Sequence, residues 1–457
     1  MTELFVLVNG DLAARVVQDG TGDLALTYER SWQDRPDAVP VSLSAPLSRL
    51  EHDDASVRPF MEGLLPDSAS VLDRWARQFQ VSPRNPFALL AHMGEDCAGA
   101  VQFVRPDRLE ALSGEGEADV EWLSEDEMAD RLRRLVEHHG TGRLPGDRGH
   151  FSLAGAQPKM ALYFDGERRD APSPGSRHPD RTHPSRTPWG IPSGRTPTTH
   201  ILKPPTQPDL AGFALHEHFC LRLASALDLQ AAESSLQRFG DQEALVVTRY
   251  DRVSTTDGRI VRIHQEDACQ ALGVSPLRKY ENEGGPGPAD IVALLLRESS
   301  DPATDVAAFL DALALNWAIG GTDAHAKNFS VLITPGAVRL APLYDLISIL
   351  PYPDRVPYRK AALAMRIDRE YRLWKIRRRH WEGLAARCGL DPEPVIERIG
   401  ELLADVPGAV DRVRADLLAT EVQAAVPQAA GVDAEMVDRV ANEVREHAAR
   451  CRQALRE

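Results

Sequence analysis

The order of strand-like and helical segments constrains the fold of this chain more than any single motif does. Short apolar runs of strand character occupy the first part, beginning with residues 4–8 and a hairpin turn signal at Asn9 and Gly10. From Asp301 onward the pattern is mainly helical, as in residues 303–319. This order predicts an α/β (α+β) protein with two lobes. We expect a mixed α/β N-terminal lobe and an all-helical C-terminal lobe.

Length, charge and cysteine usage limit the organisation and the partners. The 457 residues predict two or three packed units. A formal net charge of −15 disfavours non-specific nucleic-acid binding, so any DNA contact needs a local basic patch or a basic partner. The 5 cysteines include no C-x-x-C pair, which indicates free thiols in a reducing cytoplasm. Because no apolar run reaches membrane-span length and the first residues carry no export signal, we expect a cytoplasmic protein without membrane attachment.

A proline- and arginine-rich stretch interrupts the strand-rich part. Residues 166–193 contain 6 prolines among Arg, Ser, Thr, His and Gly, which predicts a disordered, mobile surface loop. The loop separates two predicted strands and adds little closure entropy to the hairpin they form. We therefore divide the chain into a first subdomain (1–108), a strand-rich lobe with this insertion (109–250) and a mainly helical lobe (251–457).

A short polar loop follows the helix of residues 303–319. Its polar residues are Thr322, Asp323, His325, Lys327 and Asn328. Asp323 and Asn328 have the D-x-x-x-x-N spacing of kinase catalytic loops, in which the Asp accepts the proton of the substrate hydroxyl and the Asn holds magnesium. The alternative is a polar turn capped by Asp323, because short motifs recur by chance.

A second acid, Asp345, lies where the return strand of a hairpin would end. In a hairpin, the residue before the first strand lies beside the residue after the second, so Asn328 and Asp345 would be neighbours. Their side-chain oxygens are the hard ligands that magnesium prefers. Alternatively, Asp345 caps the turn into residues 346–348.

Candidate phosphate-binding residues lie in the strand-rich lobe. Kinases use a strand lysine on the α- and β-phosphates, and Lys203 ends an apolar strand, although a lysine in that position is usually just solvated. The small residues of segment 152–159 would let backbone N–H groups approach phosphate oxygens, but the segment alone is a weak signal. Glu217, on the next helix, is a candidate partner for Lys203.

Residues 246–251 are the candidate hinge between the lobes. Backbone groups there are suited to hydrogen bonding with adenine, and the Tyr250 ring is suited to packing on the base. Tyr250 is equally well interpreted as an ordinary aromatic side chain in the core or at its rim.

Several long segments, in order along the chain, together resemble the HipA family of bacterial kinase toxins from type II toxin–antitoxin modules. The segments are 42–47, 64–67, 152–159, 198–203, 264–273, 280–281 with 284–287, 322–330 and 344–345. The resemblance covers essentially the whole chain. It implies a two-lobed protein-kinase-like (PI3/4-kinase-like) fold with an extra N-terminal subdomain, a nucleotide-binding lobe at 109–250 and a catalytic lobe at 251–457. It also implies serine/threonine kinase activity with ATP and Mg²⁺.

The resemblance assigns roles to individual residues. Asp323 is the implied catalytic base, and Asn328 and Asp345 are the implied magnesium ligands. Ser152 is the implied autophosphorylation site, where a phosphate of about −1.5 to −2 charges would repel those of ATP; otherwise it is an ordinary turn serine. The implied ATP-binding residues are Ala154, Gly155, Ala156, Gln157, Lys159, Lys203, Thr248, Arg249, Tyr250, His325, Lys327, Asn328 and Tyr344.

Substrate and partners follow from the same resemblance. The kinase would phosphorylate a serine of an aminoacyl-tRNA synthetase, the glutamyl enzyme being the first candidate, and so cause growth arrest and persistence. A HipB-like helix-turn-helix antitoxin dimer would bind it and operator DNA, and the complex would repress its own operon. The basic residues of 366–380, with Trp374 between them and Trp381 directly after them, suit DNA phosphates but equally suit a solvated helix face. The insertion at 166–193 departs from the family pattern.

Two other functions remain open at this point. A small-molecule kinase, such as an aminoglycoside phosphotransferase, shares the acid pair but gives no reason for segments 265–267 and 284–287. A non-toxic or catalytically silent co-repressor subunit would be expected to lack at least one of the four residues that carry the proposed phosphoryl-transfer chemistry. All four are present: Lys203, Asp323, Asn328 and Asp345.

Overall fold

The computed structural model describes residues 2–113, 118–137, 151–166, 186–205, 212–256, 258–422 and 433–457. Within these residues the chain forms two compact units. The first comprises the described residues of Met1–Val41, Ala45–Ala211 and Ser235–His264, and the second those of Ser42–Ser44, Gly212–Ser234 and Gln265–Glu457. Each unit is therefore assembled from segments that are distant in the sequence.

A five-stranded antiparallel sheet opens the first unit. Its strands are β1 Thr2–Val8, β2 Asp11–Gln18, β3 Leu24–Tyr28, β4 Glu51–His52 and β5 Val101–Val104, in the order β4-β3-β2-β1-β5. Asn9 (φ 52°) and Gly10 (φ 89°) make the predicted turn between β1 and β2, because a tight two-residue hairpin needs positive φ at both positions. The helices of this subdomain are α1 Arg30–Gln33, α2 Asp54–Gly63, α3 Ala69–Phe79 and α4 Pro86–Met93.

A six-stranded sheet forms the rest of the first unit. Its strands are β6 Ala118–Ser124, β7 Met160–Phe164, β8 Arg186–Gly194, β9 His200–Lys203, β10 Ser234–Phe239 and β11 Gln242–Thr248, in the order β10-β11-β9-β7-β8-β6. The helix α5 Leu109–Leu112 precedes it, and a two-stranded pair, β12 Arg252–Ser254 and β13 Ile260–Arg262, follows it. Helix α6 Glu125–Glu137 packs Met128, Leu132 and Leu135 into a core with Leu202 and Val246, because these helix positions recur on one face.

Strand β8 corrects the prediction for residues 166–193. Residues 167–185 lie outside the described part of the chain, but β8 pairs with both β6 and β7. Residues 187–192 are all buried, including Trp189 (1% exposed) and Ile191 (3% exposed), as expected for a strand covered on both faces. The proline and arginine content of the whole stretch concealed this strand, and the prediction of disorder is wrong for the residues of β8. The predicted strands on either side of the insertion, β7 and β9, pair antiparallel as expected.

The second unit is mainly helical and contains two small sheets. Its helices are α7 Phe213–Ala226, α8 Ala268–Ala271, α9 Pro288–Glu298, α10 Pro302–Ile319, α11 Arg378–Arg387, α12 Pro392–Val422 and α13 Ala434–Arg456. One sheet consists of β14 His264–Asp267, β15 Ser330–Thr334 and β16 Ala337–Leu340, and the other of β17 Ala362–Ile367 and β18 Glu370–Arg372. The prediction of an all-helical C-terminal lobe is therefore wrong in detail, because this unit contains β14, β17 and β18 besides the predicted hairpin of β15 and β16. Among the described residues, no helix is both long and apolar enough to cross a bilayer.

Helix α10 leads directly into the predicted catalytic loop. Asp301 caps the helix by accepting a hydrogen bond from the N–H of Thr304 (3.3 Å), and Pro302 occupies its first turn. All residues from 309 to 319 are buried, as expected for a helix that is apolar on every side. The helix ends at Gly320, whose φ is 66° and where a Cβ would lie 2.8 Å from the Leu350 side chain. Glycine is required there for both reasons.

Candidate active site

The loop after α10 brings Asp323 and Asn328 into direct contact. The Asp323 carbonyl accepts hydrogen bonds from the N–H of His325 (2.8 Å) and from Nδ2 of Asn328 (2.9 Å). The His325 carbonyl accepts in turn from the N–H of Asn328 (2.9 Å). Asp323 is exposed, whereas His325 and Asn328 are buried. The loop therefore fixes the amide relative to the acid and leaves the acid open to a substrate.

The predicted hairpin after this loop is present. Strands β15 and β16 are antiparallel, with Val331 opposite Leu340, and the N–H of Ala341 donates to the Ser330 carbonyl (2.8 Å). The residues before β15 and after β16 therefore emerge at the same end of the hairpin.

Tyr344 closes that end of the hairpin. Its hydroxyl donates to the carbonyl of Lys327 (2.6 Å) and accepts from the hydroxyl of Ser330 (2.6 Å). Tyr344 directly precedes Asp345, and Lys327 directly precedes Asn328. The hydrogen bond between them therefore holds the backbone before Asp345 next to the backbone before Asn328. Tyr344 was predicted to bind ATP, and the structure shows that its hydroxyl is already engaged in this tie.

The oxygens at this end of the hairpin suit a magnesium ion. Nδ2 of Asn328 is committed to the Asp323 carbonyl, which leaves the amide oxygen to act as a ligand. Asp345 has a φ of 57°, a left-handed backbone that Asp tolerates better than most residues and that often marks functional positions. Magnesium bound with a nucleotide needs only one or two protein carboxylate or amide oxygens, because phosphates and water complete its shell. The residues present therefore fit the ion.

Lys203 lies within the six-stranded sheet of the first unit. It is opposite Leu245 of β11, and it is only 7% exposed. Because lysine is rarely buried unless it is paired, this burial disfavours the interpretation that Lys203 is merely solvated. Glu217, its predicted partner, is buried on α7 of the second unit. The ion pair between them stays a prediction.

The small-residue loop before β7 is folded against the N-terminal subdomain. Gly155 (φ 100°) forms a bridge with Pro66, and its carbonyl accepts from the N–H of Asp67 (3.2 Å). Nζ of Lys159 donates to the Ala154 carbonyl (2.6 Å) and lies 2.3 Å from where a Cβ on Gly155 would be. The backbone conformation therefore favours glycine at this position.

Ser152, the predicted autophosphorylation site, is fully buried. It is 0% exposed, and its Oγ donates to the Leu64 carbonyl (2.7 Å). Its N–H donates to the Asp96 carbonyl (3.0 Å). A phosphoryl donor has no access to this oxygen, so phosphorylation would require the segment to leave its site.

Arg249 organises the candidate hinge from inside the first unit. Its guanidinium donates to both carboxylate oxygens of Asp251 (3.0 and 2.7 Å), to Oγ1 of Thr198 (2.8 Å) and to the Cys97 carbonyl (2.8 Å). The side chain is 2% exposed. Arg249 was predicted to bind ATP, but its guanidinium is consumed by these contacts, so only its backbone is left for that role.

Asp96 is the acid at the centre of this network, and it was not predicted from the sequence. It accepts from the N–H and hydroxyl of Thr198 (2.9 and 2.7 Å) and from Arg252 and Arg262 (3.0 and 3.2 Å). Burial alone would raise the pKa of Asp96, but the arginines Arg252, Arg262 and Arg249 hold it well below its usual range. An isolated acid after an apolar helix carries no sequence signal for such a role.

The other predicted ATP-binding residues lie in or just after the six-stranded sheet, in the small-residue loop and in the loop after α10. Thr248 is opposite His200 in the sheet, and Tyr250 is half-buried. Ala156 is exposed and Gln157 half-buried in the small-residue loop. The remaining two, His325 and Lys327, are buried in the catalytic loop. Their contacts with a nucleotide stay predictions.

Tyr280 contacts the proposed base and was given no role from sequence. Its hydroxyl donates to Oδ1 of Asp323 (2.7 Å), and its ring meets the His325 ring edge-on with centroids 5.0 Å apart. The available signal was the segment 280–287, which carried the family resemblance without any assigned chemistry.

The basic side chains of the segment 366–380 differ in pairing and in exposure to solvent. Arg366 pairs with Glu281 (2.8 Å). Trp381, just after the segment, is fully buried, whereas Trp374 is partly exposed. The cations that remain exposed are Arg369, Arg372, Lys375 and Arg379. Fewer side chains are therefore presented to solvent than the sequence suggested.

Sequence comparisons match this chain to one family along most of its length. The family model for the HipA-like C-terminal domain matches residues 151–410, and that for the HipA N-terminal domain matches residues 4–104. A putative kinase of Sinorhizobium fredii is 38% identical over 411 residues, which are 89% of this chain and 91% of the relative. The serine/threonine-protein kinase toxin HipA of Shewanella oneidensis is 28% identical over 410 residues, 86% of this chain and 85% of that protein.

A solved structure has the same fold. In the complex of Shewanella oneidensis HipA with HipB and its operator DNA, one chain matches 98% of this chain and 97% of its own length, with a TM-score of 0.78 and 24% identity. The fold and the matched domains agree with the mixed α/β, kinase-like architecture. On the domain matches and on the identity over most of its length, this chain belongs to the HipA family of serine/threonine protein kinases.

Proposed function

We propose that this chain is an ATP- and Mg²⁺-dependent kinase toxin whose catalytic centre is the loop of Asp323 and Asn328 with the following hairpin. The observation that carries the proposal is the pair of ties at one end of that hairpin. Nδ2 of Asn328 bonds the Asp323 carbonyl, and the Tyr344 hydroxyl bonds the Lys327 carbonyl. These two hydrogen bonds support a site that combines an exposed acid, a buried amide and Asp345, as phosphoryl transfer requires.

Asp323 is the proposed base. As the serine oxygen bonds to the γ-phosphorus, the bond from that phosphorus to the β,γ-bridging oxygen breaks and ADP leaves with the electron pair. The serine proton passes to the Asp323 carboxylate. Asn328 and Asp345 would hold magnesium, which neutralises phosphate charge when bound. Lys203 would contact the α- and β-phosphates.

The nucleotide would be covered by the small-residue loop of Ala154 to Lys159. The adenine side is assigned to the backbone around Thr248 and Tyr250. The positive φ of Gly155 supports the first assignment, because it turns successive backbone N–H groups toward one side, as in phosphate-binding loops.

The proposed substrate is a serine of an aminoacyl-tRNA synthetase, with the glutamyl enzyme as the first candidate. The name of the Shewanella relative, a serine/threonine-protein kinase toxin, supports a serine acceptor and a toxic outcome. Phosphorylation of the synthetase would stop tRNA charging, halt translation and lead to growth arrest and persistence.

We also propose that the kinase inactivates itself by phosphorylating Ser152. Its oxygen now bonds the Leu64 carbonyl in a fully buried site. A phosphate of about −1.5 to −2 charges does not fit such a site and repels a carbonyl oxygen, so the modified segment would stay out. The loop of Ala154 to Lys159 would then be unable to cover ATP.

The proposed partners are a HipB-like helix-turn-helix antitoxin dimer and, through it, operator DNA in the cytoplasm. The solved relative was crystallised with HipB and operator DNA, which supports this assignment. With a net charge of −15, the chain would depend on the antitoxin and on the exposed cations of residues 366–380 to approach DNA. A silent co-repressor is the alternative, and the presence of Lys203, Asp323, Asn328 and Asp345 disfavours it.

The test is phosphate transfer from γ-labelled ATP to a panel of purified aminoacyl-tRNA synthetases. Asp323→Gln should reduce transfer by about 10²- to 10⁴-fold, the usual contribution of a general base. It should also abolish growth arrest while leaving the thermal unfolding midpoint unchanged. Asp354→Gln, at another exposed acid of the second unit, is the matched control and should keep full activity. Growth arrest by Asp323→Gln as strong as by the unmodified chain would contradict the proposal.

A further inference from the structure

The hydroxyl of Tyr280 holds the carboxylate to which the chemistry is assigned. It donates to Oδ1 of Asp323 at 2.7 Å. Asp323 is exposed, and an exposed carboxylate would otherwise sample several rotamers in water. The bond engages one carboxylate oxygen and leaves the other, Oδ2, to accept a proton from a substrate.

The backbone of the loop that carries Tyr280 is closed by two glycines. The N–H of Gly285 donates to the Tyr280 carbonyl (3.0 Å). A Cβ at Gly285 would lie 1.8 Å from the carbonyl oxygen of Arg278, so no other residue fits without moving the loop. Gly284, with a φ of 86°, supplies the left-handed turn. This segment is therefore a fixed turn and not a loose surface loop.

Two further contacts anchor the same turn on both sides. The Glu281 carboxylate pairs with the Arg366 guanidinium (2.8 Å) and accepts from the Arg366 N–H (2.7 Å), with its side chain only 8% exposed. On the other side, the Lys279 carbonyl accepts from the N–H of Ala326 in the catalytic loop (3.3 Å). The residues on either side of Tyr280 are thus bonded to strand β17 and to the loop of Asp323. The contact of Tyr280 with the acid follows from this anchoring.

We propose that Tyr280 is a positioning residue for phosphoryl transfer, whose hydroxyl orients the Asp323 carboxylate toward the substrate hydroxyl. The inference rests on the proposed role of Asp323 as the base. Without the bond, the carboxylate keeps its basic oxygens but spends less time in the reactive orientation. The turn of residues 278–285 has the function of holding the tyrosine in place.

The direct test removes the hydroxyl alone. Tyr280→Phe keeps the ring against His325, and the probe is self-phosphorylation with labelled Mg-ATP. The rate constant at saturating ATP should fall about 10- to 100-fold, as expected for a misdirected catalytic group. The ATP concentration for half-maximal rate should stay within about two-fold, because the lost interaction acts on the chemical step and not on nucleotide binding.

Tyr358→Phe is the matched control. It removes a hydroxyl that is hydrogen-bonded to Nε2 of His447 (3.1 Å) in the same unit, and both kinetic parameters should stay within about two-fold of the unmodified chain. Gly285→Ala should reproduce the rate loss of Tyr280→Phe, because the added Cβ displaces the turn. Adding Tyr280→Phe to Asp323→Gln should cause no further loss, since the two groups act as one unit.

The outcomes separate this inference from the proposed function. An unchanged or higher saturating rate in a folded Tyr280→Phe variant would overturn the positioning role, as would an effect confined to the half-maximal ATP concentration. Self-phosphorylation at full rate by Asp323→Gln would instead overturn the proposed base. A thermal melt of each variant distinguishes lost folding from lost chemistry.

Discussion

At the residue scale, burial changes what individual side chains can do. Ser152 is an ordinary hydroxyl in the sequence, but here its oxygen is enclosed and bonded to Leu64. Glu266 accepts from the hydroxyl of Ser42 (2.6 Å) and the N–H of Leu43 (2.7 Å), and burial raises its pKa to about 8. Both lie in segments that the sequence analysis singled out. Their enclosure depends on residues far away in the chain and was not predictable.

Ser152→Ala should prevent self-inactivation. The unmodified kinase is expected to lose activity during incubation with Mg-ATP, and the variant should retain it because the phosphate acceptor is missing. The lost bond to the Leu64 carbonyl should cost only about 1 kcal/mol of stability. Residual activity and phosphopeptide mass spectrometry provide the measurement. Ser225→Ala, which removes a hydroxyl bonded to the Leu221 carbonyl, is the control. Phosphate found mainly at another residue would count against the role of Ser152.

Glu266→Gln should weaken the pH dependence of stability between about pH 5 and 8. The pKa of Glu266 in the folded state, about 8, lies above that of an unfolded glutamate. The folded state therefore binds the extra proton in this range, and the free energy of unfolding falls as the pH rises. Gln does not ionise and keeps an oxygen for Leu43. Urea midpoints at the two ends of the range should differ less in the variant, and Glu283→Gln, an exposed control, should behave like the unmodified chain. An equal pH dependence in Glu266→Gln would rule out this role.

At the element scale, local patterns predicted the boundaries better than composition did. The end of α10 at Gly320 and the hairpin β15–β16 followed from glycine chemistry and apolar spacing, and both are confirmed. Strand β8 was missed because the prolines of its neighbourhood dominated the interpretation. Its six consecutive buried residues, 187–192, depend on the partner strands β6 and β7, which no local pattern in the sequence identifies.

Trp189→Ala should unfold the first unit more easily than its place in a proline-rich stretch suggests. Its ring is 1% exposed and packs against Phe164 and Phe239, with centroids 4.6 and 6.2 Å away. The free energy of unfolding should fall by about 3–5 kcal/mol. Urea denaturation provides the measurement, with Trp374→Ala, at a partly exposed tryptophan, as the control that loses little. A loss below about 1 kcal/mol for Trp189→Ala would show that β8 does not belong to the core.

At the scale of the whole molecule, nucleotide binding should be coupled to folding. A ligand that binds only the folded chain stabilises it in proportion to the logarithm of its concentration, by about 2.7 kcal/mol at one hundred times the dissociation constant. Mg-ATP is therefore expected to raise the unfolding midpoint of the chain.

Asp345→Asn should remove the magnesium-dependent part of that stabilisation. Asn adopts a φ near 57° readily, so the stability without ligand should change little. Thermal melts with Mg-ATP, with ATP and a chelator, and without ligand separate the contributions. The unmodified chain should gain stability on addition of magnesium to ATP, and the variant should not. A full magnesium effect in Asp345→Asn would exclude this carboxylate as a ligand.

The sequence by itself determined the features that depend on local chemistry: the glycine-terminated helix, the hairpin after Asn328 and the spacing of the candidate acids. These need only backbone preferences and short-range periodicity, which any stretch of chain carries with it. The tertiary structure alone decided which distant groups meet. Tyr280 reaches Asp323 across 43 residues, Ser152 reaches Leu64 across 88, and Arg252 reaches Asp96 across 156. Such pairs arise from packing of the whole chain, and no local pattern in the sequence encodes them.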